Sequence, residues 1–141
     1  MYTREIIGWH ISVRHDTKLV LEALRHAVER TGCVPVYLHS DQGSEYDADA
    51  YEEFVVGQEI SISMSHKHSP WENAFQESFY SQFKVDLGHV SRFETVEELI
   101  EEMYQTIYYY NNKRIHTSLK MNPVAFKKQY ENRLEKVRLT V

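Results

Sequence analysis

The stretch VPVYLHSDQGSEYDADAYEEFVVGQEISISM, residues 34–64, decides how the chain is read. Val34, Val36 and Leu38 alternate with their neighbours, and period two predicts a strand that ends near Ser40. Asp41, Gln42, Gly43 and Ser44 follow as a polar turn. Tyr51, Phe54 and Val55 then fall on one face of a short helix closed by Gly57. Ile60, Ile62 and Met64 mark a further strand. Strand, turn, helix and strand within about thirty residues make this a layered α/β chain.

Outward from that stretch the same tests apply. Upstream, Ile7, Trp9, Ile11 and Val13 alternate with Gly8, His10 and Ser12, which predicts a half-buried strand over residues 6–13. Asp16 is placed to cap a helix running to about Arg30, with Val20, Leu24, Ala27 and Val28 inward and Gly32 as its stop. Downstream, SHKHSPW (residues 65–71) has no period and contains Pro70, so it reads as a loop. A helix over 72–87 carries the stripe Phe75, Phe79 and Phe83. Thr95 with Glu98 forms a capping box for a helix that buries Leu99, Met103, Ile107 and Tyr110. Asn122 followed by Pro123 opens the last helix.

The chain has 141 residues, 42% of them hydrophobic, which suits one small folded domain over 1–141. Residues 122–141 read as a basic C-terminal helix or tail. No apolar run approaches the roughly 20 residues of a membrane span. The single Cys33 excludes an internal disulfide, so a cytoplasmic setting is the expectation. The net charge of −5 argues against a simple nucleic-acid binder, yet the charge is uneven. Residues 113–141 hold eight Lys/Arg against two Glu; the rest holds eight Lys/Arg against nineteen Asp/Glu. A basic end on an acidic body fits a protein that meets DNA on one side, and equally fits a solvated amphipathic tail.

Two acids stand out. Asp41 sits just past a strand in a glycine turn, where α/β sheets place active sites. Glu77 lies on the helix after the loop, and Asn73, Glu77, Ser81 and Lys84 share one helical face apart from the phenylalanine stripe. Two carboxylates brought together repel unless a cation lies between them, and hard oxygen ligands suit Mg²⁺ or Mn²⁺. The residues alone leave the plainer reading open: Asp41 as a turn residue and Glu77 as a surface acid. The cluster His66, Lys67, His68 lacks further ligands at a spacing that would hold zinc.

The segments HSDQGSEY (39–46), SMSHKHSPWENAFQESFYSQFK (63–84) and YNNKRIHTSLKMNPVAF (110–126) resemble the integrase core of DDE-type insertion-sequence transposases, a family related to retroviral integrases. Between Asp41 and Glu77 lie 35 residues, the spacing that family shows between its second and third acids. The resemblance implies a ribonuclease H-like three-layer fold and two divalent ions, Mg²⁺ or Mn²⁺, serving phosphodiester cleavage and strand transfer on double-stranded DNA. It implies Asp41 and Glu77 as catalytic metal ligands. It also implies that Lys84 approaches a phosphate, that Lys67, His68 and Trp71 lie in a loop beside the site and contact DNA, and that Asn111, Arg114 and His116 belong to a motif after the helix, each with either a DNA-phosphate or a structural hydrogen-bonding role. Partners would be element ends, target DNA and further transposase chains, in the nucleoid. Family members carry a first catalytic aspartate in a Trp-x-x-Asp-x-Thr-Tyr setting, and the present sequence starts at the segment that follows it. Glu5 and Asp16 do not match that position. The expectation is therefore a fold lacking the family's first two strands and a chain inactive alone. The alternative is a non-catalytic transposase remnant that binds DNA or a full-length partner.

Overall fold

The computed structural model describes residues 2–43, 45–46, 49–65 and 74–138. They form α1 (Thr17–Thr31), β1 (Tyr37–Ser40), α2 (Asp49–Gly57), β2 (Ser61–Met64), α3 (Ala74–Leu87), a 3-10 turn (Val90–Arg92), α4 (Val96–Asn112) and α5 (Pro123–Arg138). The chain divides into two compact units, one of Ile7–Gln82 and one of Met1–Ile6 with Phe83–Val141.

In the Ile7–Gln82 unit, β1 and β2 pair in parallel, with Tyr37 opposite Ser61 and Ser40 opposite Met64. Parallel neighbours need a crossover, and α2 supplies it. Ser61 N–H donates to Val36 O and Ser65 N–H to Ser40 O, each at 2.9 Å, extending the ladder at both ends. α1 starts where Asp16 Oδ1 accepts from Leu19 N–H at 3.1 Å. It stops at Gly32, whose φ of 66° is the left-handed cap that glycine adopts without a Cβ penalty. Leu24, Tyr51, Val55 and Ile60 form the core, and Val20, Val28, Leu38 and Phe54 pack against it. The predicted inward faces of α1 and α2 are thus the ones that pack.

In the second unit, Thr95 Oγ1 accepts from Glu98 N–H at 3.2 Å, and Glu98 Oε2 accepts from Glu94 N–H at 2.8 Å. Thr95 thus satisfies an amide that the first turn of α4 leaves without a helical partner, and Glu98 reaches back to the amide just before the cap. Ile107 and Tyr110 are buried, with Leu87. Asn122 Oδ1 caps α5 by accepting from Ala125 N–H at 2.8 Å, and the buried Pro123 opens it.

One expectation fails. Residues 6–13 form no strand. A strand needs a neighbour, and among the described residues the sheet contains only β1 and β2. Side chains bond this backbone instead. Asn111 Oδ1 accepts from Ile6 N–H and Asn111 Nδ2 donates to Ile6 O, both at 2.9 Å, as a strand partner would. His26 Nδ1 lies 2.9 Å from Trp9 O. Gly8 lies flush on α1: a Cβ there would overlap the Ala23 carbonyl and sit 2.6 Å from Ala27 Cβ.

Candidate active site

Asp41 follows β1 directly, at the carboxyl end of the parallel pair. Its Oδ1 accepts from Gly43 N–H at 3.2 Å, which folds the turn back on itself and leaves the exposed carboxylate facing solvent. Beneath it Ser40 is buried, and His39 Nδ1 lies 3.0 Å from Ser63 Oγ across the sheet. Glu45 fills the space over Gly43, where a Cβ would meet its carboxylate at 2.6 Å, and pairs with His15 at 3.5 Å.

Tyr46 lies in the same turn and packs against the core of this unit. Its ring meets Tyr51 edge-on at 5.4 Å. Burial first, then the charges of Asp41 and Glu45, then Tyr80 and Tyr51, push its phenol up to about 12. Tyr80 lies three residues from Glu77, in the first turns of α3. Glu77 is exposed, as are Ser81 and Lys84, the face predicted to be polar, while Phe79 and Phe83 are half-buried. Among the described residues no three His, Cys, Asp or Glu side chains gather into a metal-holding cluster. Lys67, His68 and Trp71, with His66, lie outside the described residues.

The other two candidates, Arg114 and His116, lie in the second unit. Arg114 is ion-paired with Asp86. His116 pairs with Met121 in an isolated bridge and meets Tyr110 edge-on at 4.9 Å. Its Nε2 is enclosed with no hydrogen-bond partner. Burial, then Arg4, then Arg114 hold its pKa below the usual histidine value, so the ring is neutral at pH 7. Both side chains brace the turn that joins α4 to α5. The acids nearest the chain start are likewise occupied: Asp16 caps α1, and the nearly buried Glu5 pairs with Lys127 at 3.1 Å.

Family models described as "Integrase core domain" match residues 1–70 and residues 58–123. The chain belongs to the integrase core domain family. The transposase for insertion sequence element IS904 of Lactococcus lactis is 36% identical over 121 residues, covering 84% of this chain and 48% of that protein. A transposase-like protein of Haemophilus influenzae is 32% identical over 133 residues, covering 94% of this chain and 62% of its own. The chain thus spans about half the length of the curated relatives it matches. Among solved structures, the HTLV-2 integrase catalytic core domain in complex with magnesium superposes with a TM-score of 0.62 at 13% identity, over 80% of this chain and 70% of that one. This likeness makes the fold ribonuclease H-like.

Asp41 and Glu77, the acids that the family resemblance points to, are both exposed and belong to the Ile7–Gln82 unit. Tyr46 and Glu45 were not singled out from the sequence. Tyr46 ends the HSDQGSEY segment, but a tyrosine in a turn carries no signal of its own. The described residues fit a divalent ion in part. They offer hard carboxylate oxygens in solvent reach, but no complete donor set.

Proposed function

We propose that this chain is the DNA-handling core of a DDE-type transposase, in which Asp41 and Glu77 serve metal-dependent phosphodiester cleavage and strand transfer. The observation that carries the reading is Asp41 at the carboxyl end of a parallel strand, with 35 residues between it and an exposed Glu77 on α3. Membership of the integrase core family supports it, as does the magnesium in the HTLV-2 core. A divalent ion, when bound, supplies charge neutralisation at a phosphodiester.

The chain's own groups do the rest. The Gly43 amide fixes the Asp41 carboxylate and leaves oxygen lone pairs open. Tyr46, neutral at pH 7, keeps a hydroxyl proton beside Asp41. Lys84, exposed on the face of Glu77, would meet a phosphate, with Lys67, His68 and Trp71 in the preceding loop. Two carboxylates hold an ion more weakly than three, so the 141-residue chain alone binds Mg²⁺ or Mn²⁺ weakly and does not transpose. Strand transfer by the purified chain would refute that.

A second reading, a non-catalytic remnant that binds DNA or a full-length transposase, is favoured by the lack of a three-donor cluster among the described residues. Calorimetric titration with Mg²⁺ and Mn²⁺ separates the two. Heat of binding that disappears in both Asp41→Asn and Glu77→Gln supports the catalytic reading. Absence of binding in all three proteins supports the remnant.

A further inference from the structure

Residues 2–6 are neither helix nor strand, yet side-chain contacts strap them onto α4 and α5. Tyr2 lies against the Phe126 and Tyr130 rings of α5, at 5.2 and 5.1 Å. Glu5, its side chain 8% exposed, pairs with Lys127 of α5 at 3.1 Å. Ile6 exchanges two hydrogen bonds with Asn111, near the end of α4. Between these anchors Arg4 has a φ of 56°, a left-handed conformation that is strained for a residue with a Cβ. Backbone of this kind persists only while its surroundings enforce it.

Arg4 stands near enough to His116 for its charge to act on that ring. His116 is pinned in place. Its N–H donates to Met121 O at 3.1 Å, its carbonyl accepts from Lys120 N–H at 2.6 Å, and its ring meets Tyr110 edge-on at 4.9 Å. Nε2 is shielded from solvent and has no hydrogen-bond partner. A proton added there makes a charged N–H with no acceptor, and a buried charge without a partner is costly. The groups around the ring deepen that cost. Arg4 faces it from the strap and Arg114 from its own turn, both cationic; Tyr110 faces it from α4. The carboxylates of Asp86 and Glu5 are engaged with Arg114 and Lys127.

We infer that His116 is an acid-sensitive catch for the strap: proton uptake on its ring repels Arg4 and frees residues 2–6 from α4 and α5. The direction follows from linkage. The closed strap holds the ring below its ordinary value of 6.5, by burial first and then by Arg4 and Arg114. A freed ring therefore binds protons more readily than a closed one. The hold on the strap is whole above pH 6.5 and weakens as pH falls below it.

The test is amide hydrogen exchange of the full chain by NMR, at pH 7 and pH 5, expressed as protection factors so that the intrinsic pH dependence of exchange is removed. The Ile6 amide, which donates to Asn111 Oδ1, reports the strap. The Gly88 amide, bonded to Lys84 O at 3.1 Å at the end of α3 in the same unit, is the reference. At pH 5 a freed imidazole prefers its protonated form about thirtyfold, which caps the effect. The Ile6 protection factor should fall at least about fivefold while that of Gly88 stays within about twofold. His116→Gln should remove the fall. Glu5→Gln removes the strap's other acid-labile contact and should leave the fall in place. Should His116→Gln fail to fold, the wild-type ring decides: its Cε1–H shift should titrate with a midpoint below 6.5. The inference is overturned if Ile6 keeps its protection at pH 5, if Gly88 loses protection with it, or if His116→Gln retains the fall. It is equally overturned if Glu5→Gln abolishes the fall, or if the His116 ring titrates at 6.5 or above.

Discussion

Asn111 shows what a single residue does here. It is 2% exposed and joins Ile6 through two 2.9 Å hydrogen bonds across 105 positions of sequence. Asn111→Leu fills the space but strands a backbone N–H and a C=O, and each unsatisfied group costs about 1–3 kcal/mol. We expect a loss of about 2–4 kcal/mol in urea unfolding, and a smaller loss for Asn111→Asp, which keeps the acceptor. No local pattern discloses such a pairing, which is why the segment YNNKRIH could suggest a structural hydrogen bond for Asn111 while its partner, Ile6, stayed hidden. The proposal of Asp41 and Glu77 rests on local facts instead: a glycine turn after a strand, and a spacing that matches the family's. Tyr46 offers a check on Asp41. A phenol whose folded pKa is raised to about 12 from 10.0 contributes stability that is whole below pH 10 and lost as pH rises toward 12. Tyr46→Phe should therefore flatten the fall in stability over that window. Asp41→Asn, by removing a neighbouring negative charge, should move the Tyr46 midpoint down, read from tyrosinate absorbance as the difference from the same proteins carrying Tyr46→Phe. An unmoved midpoint would mean that Asp41 does not face Tyr46.

At the scale of elements, the helices were legible because their caps are contacts between near neighbours: Asp16 with Leu19, Thr95 with Glu98, Asn122 with Ala125. The strands of the parallel pair were legible too, since α2 brings them together. Residues 6–13 carry as regular an alternation as either strand, yet alternation reports only which side chains would share a face. It says nothing of whether a neighbouring strand is present, and without one the backbone turns to Asn111 and His26. Gly8 holds this segment against α1 at a distance no side chain allows. Gly8→Ala must push the segment off Ala23 and Ala27, so we expect a loss of about 1–3 kcal/mol, seen as a lower Tm. Asp16→Ala should cost about 1 kcal/mol by uncapping α1. Asp16 caps the start of α1 whereas Gly8 packs on Ala23 and Ala27 in its later turns, so the two effects should be close to additive. A clear departure would show that the cap and the covering segment are coupled through the helix.

For the whole molecule, the informative quantity is where charge lies rather than its total. A net −5 repels a polyanion, but residues 113–141 carry a surplus of six positive charges, and Lys113 and Lys128 are both exposed. If duplex DNA meets this end of the chain, counterion release sets a linear fall of log affinity with log salt, of slope about −0.9 for each neutralised phosphate. Lys113→Gln and Lys128→Gln should each weaken binding on any sequence and make that slope shallower by about 0.9. Lys18→Gln is the control. It is exposed as well, but it lies on α1, outside the basic segment, so both its affinity and its slope should match wild type. Equal losses for all three lysines would mean that DNA follows no particular side of the chain, and the charge asymmetry would then be only a solvated tail. Loss confined to Lys113 and Lys128 would make the basic end of the chain its DNA-contacting segment.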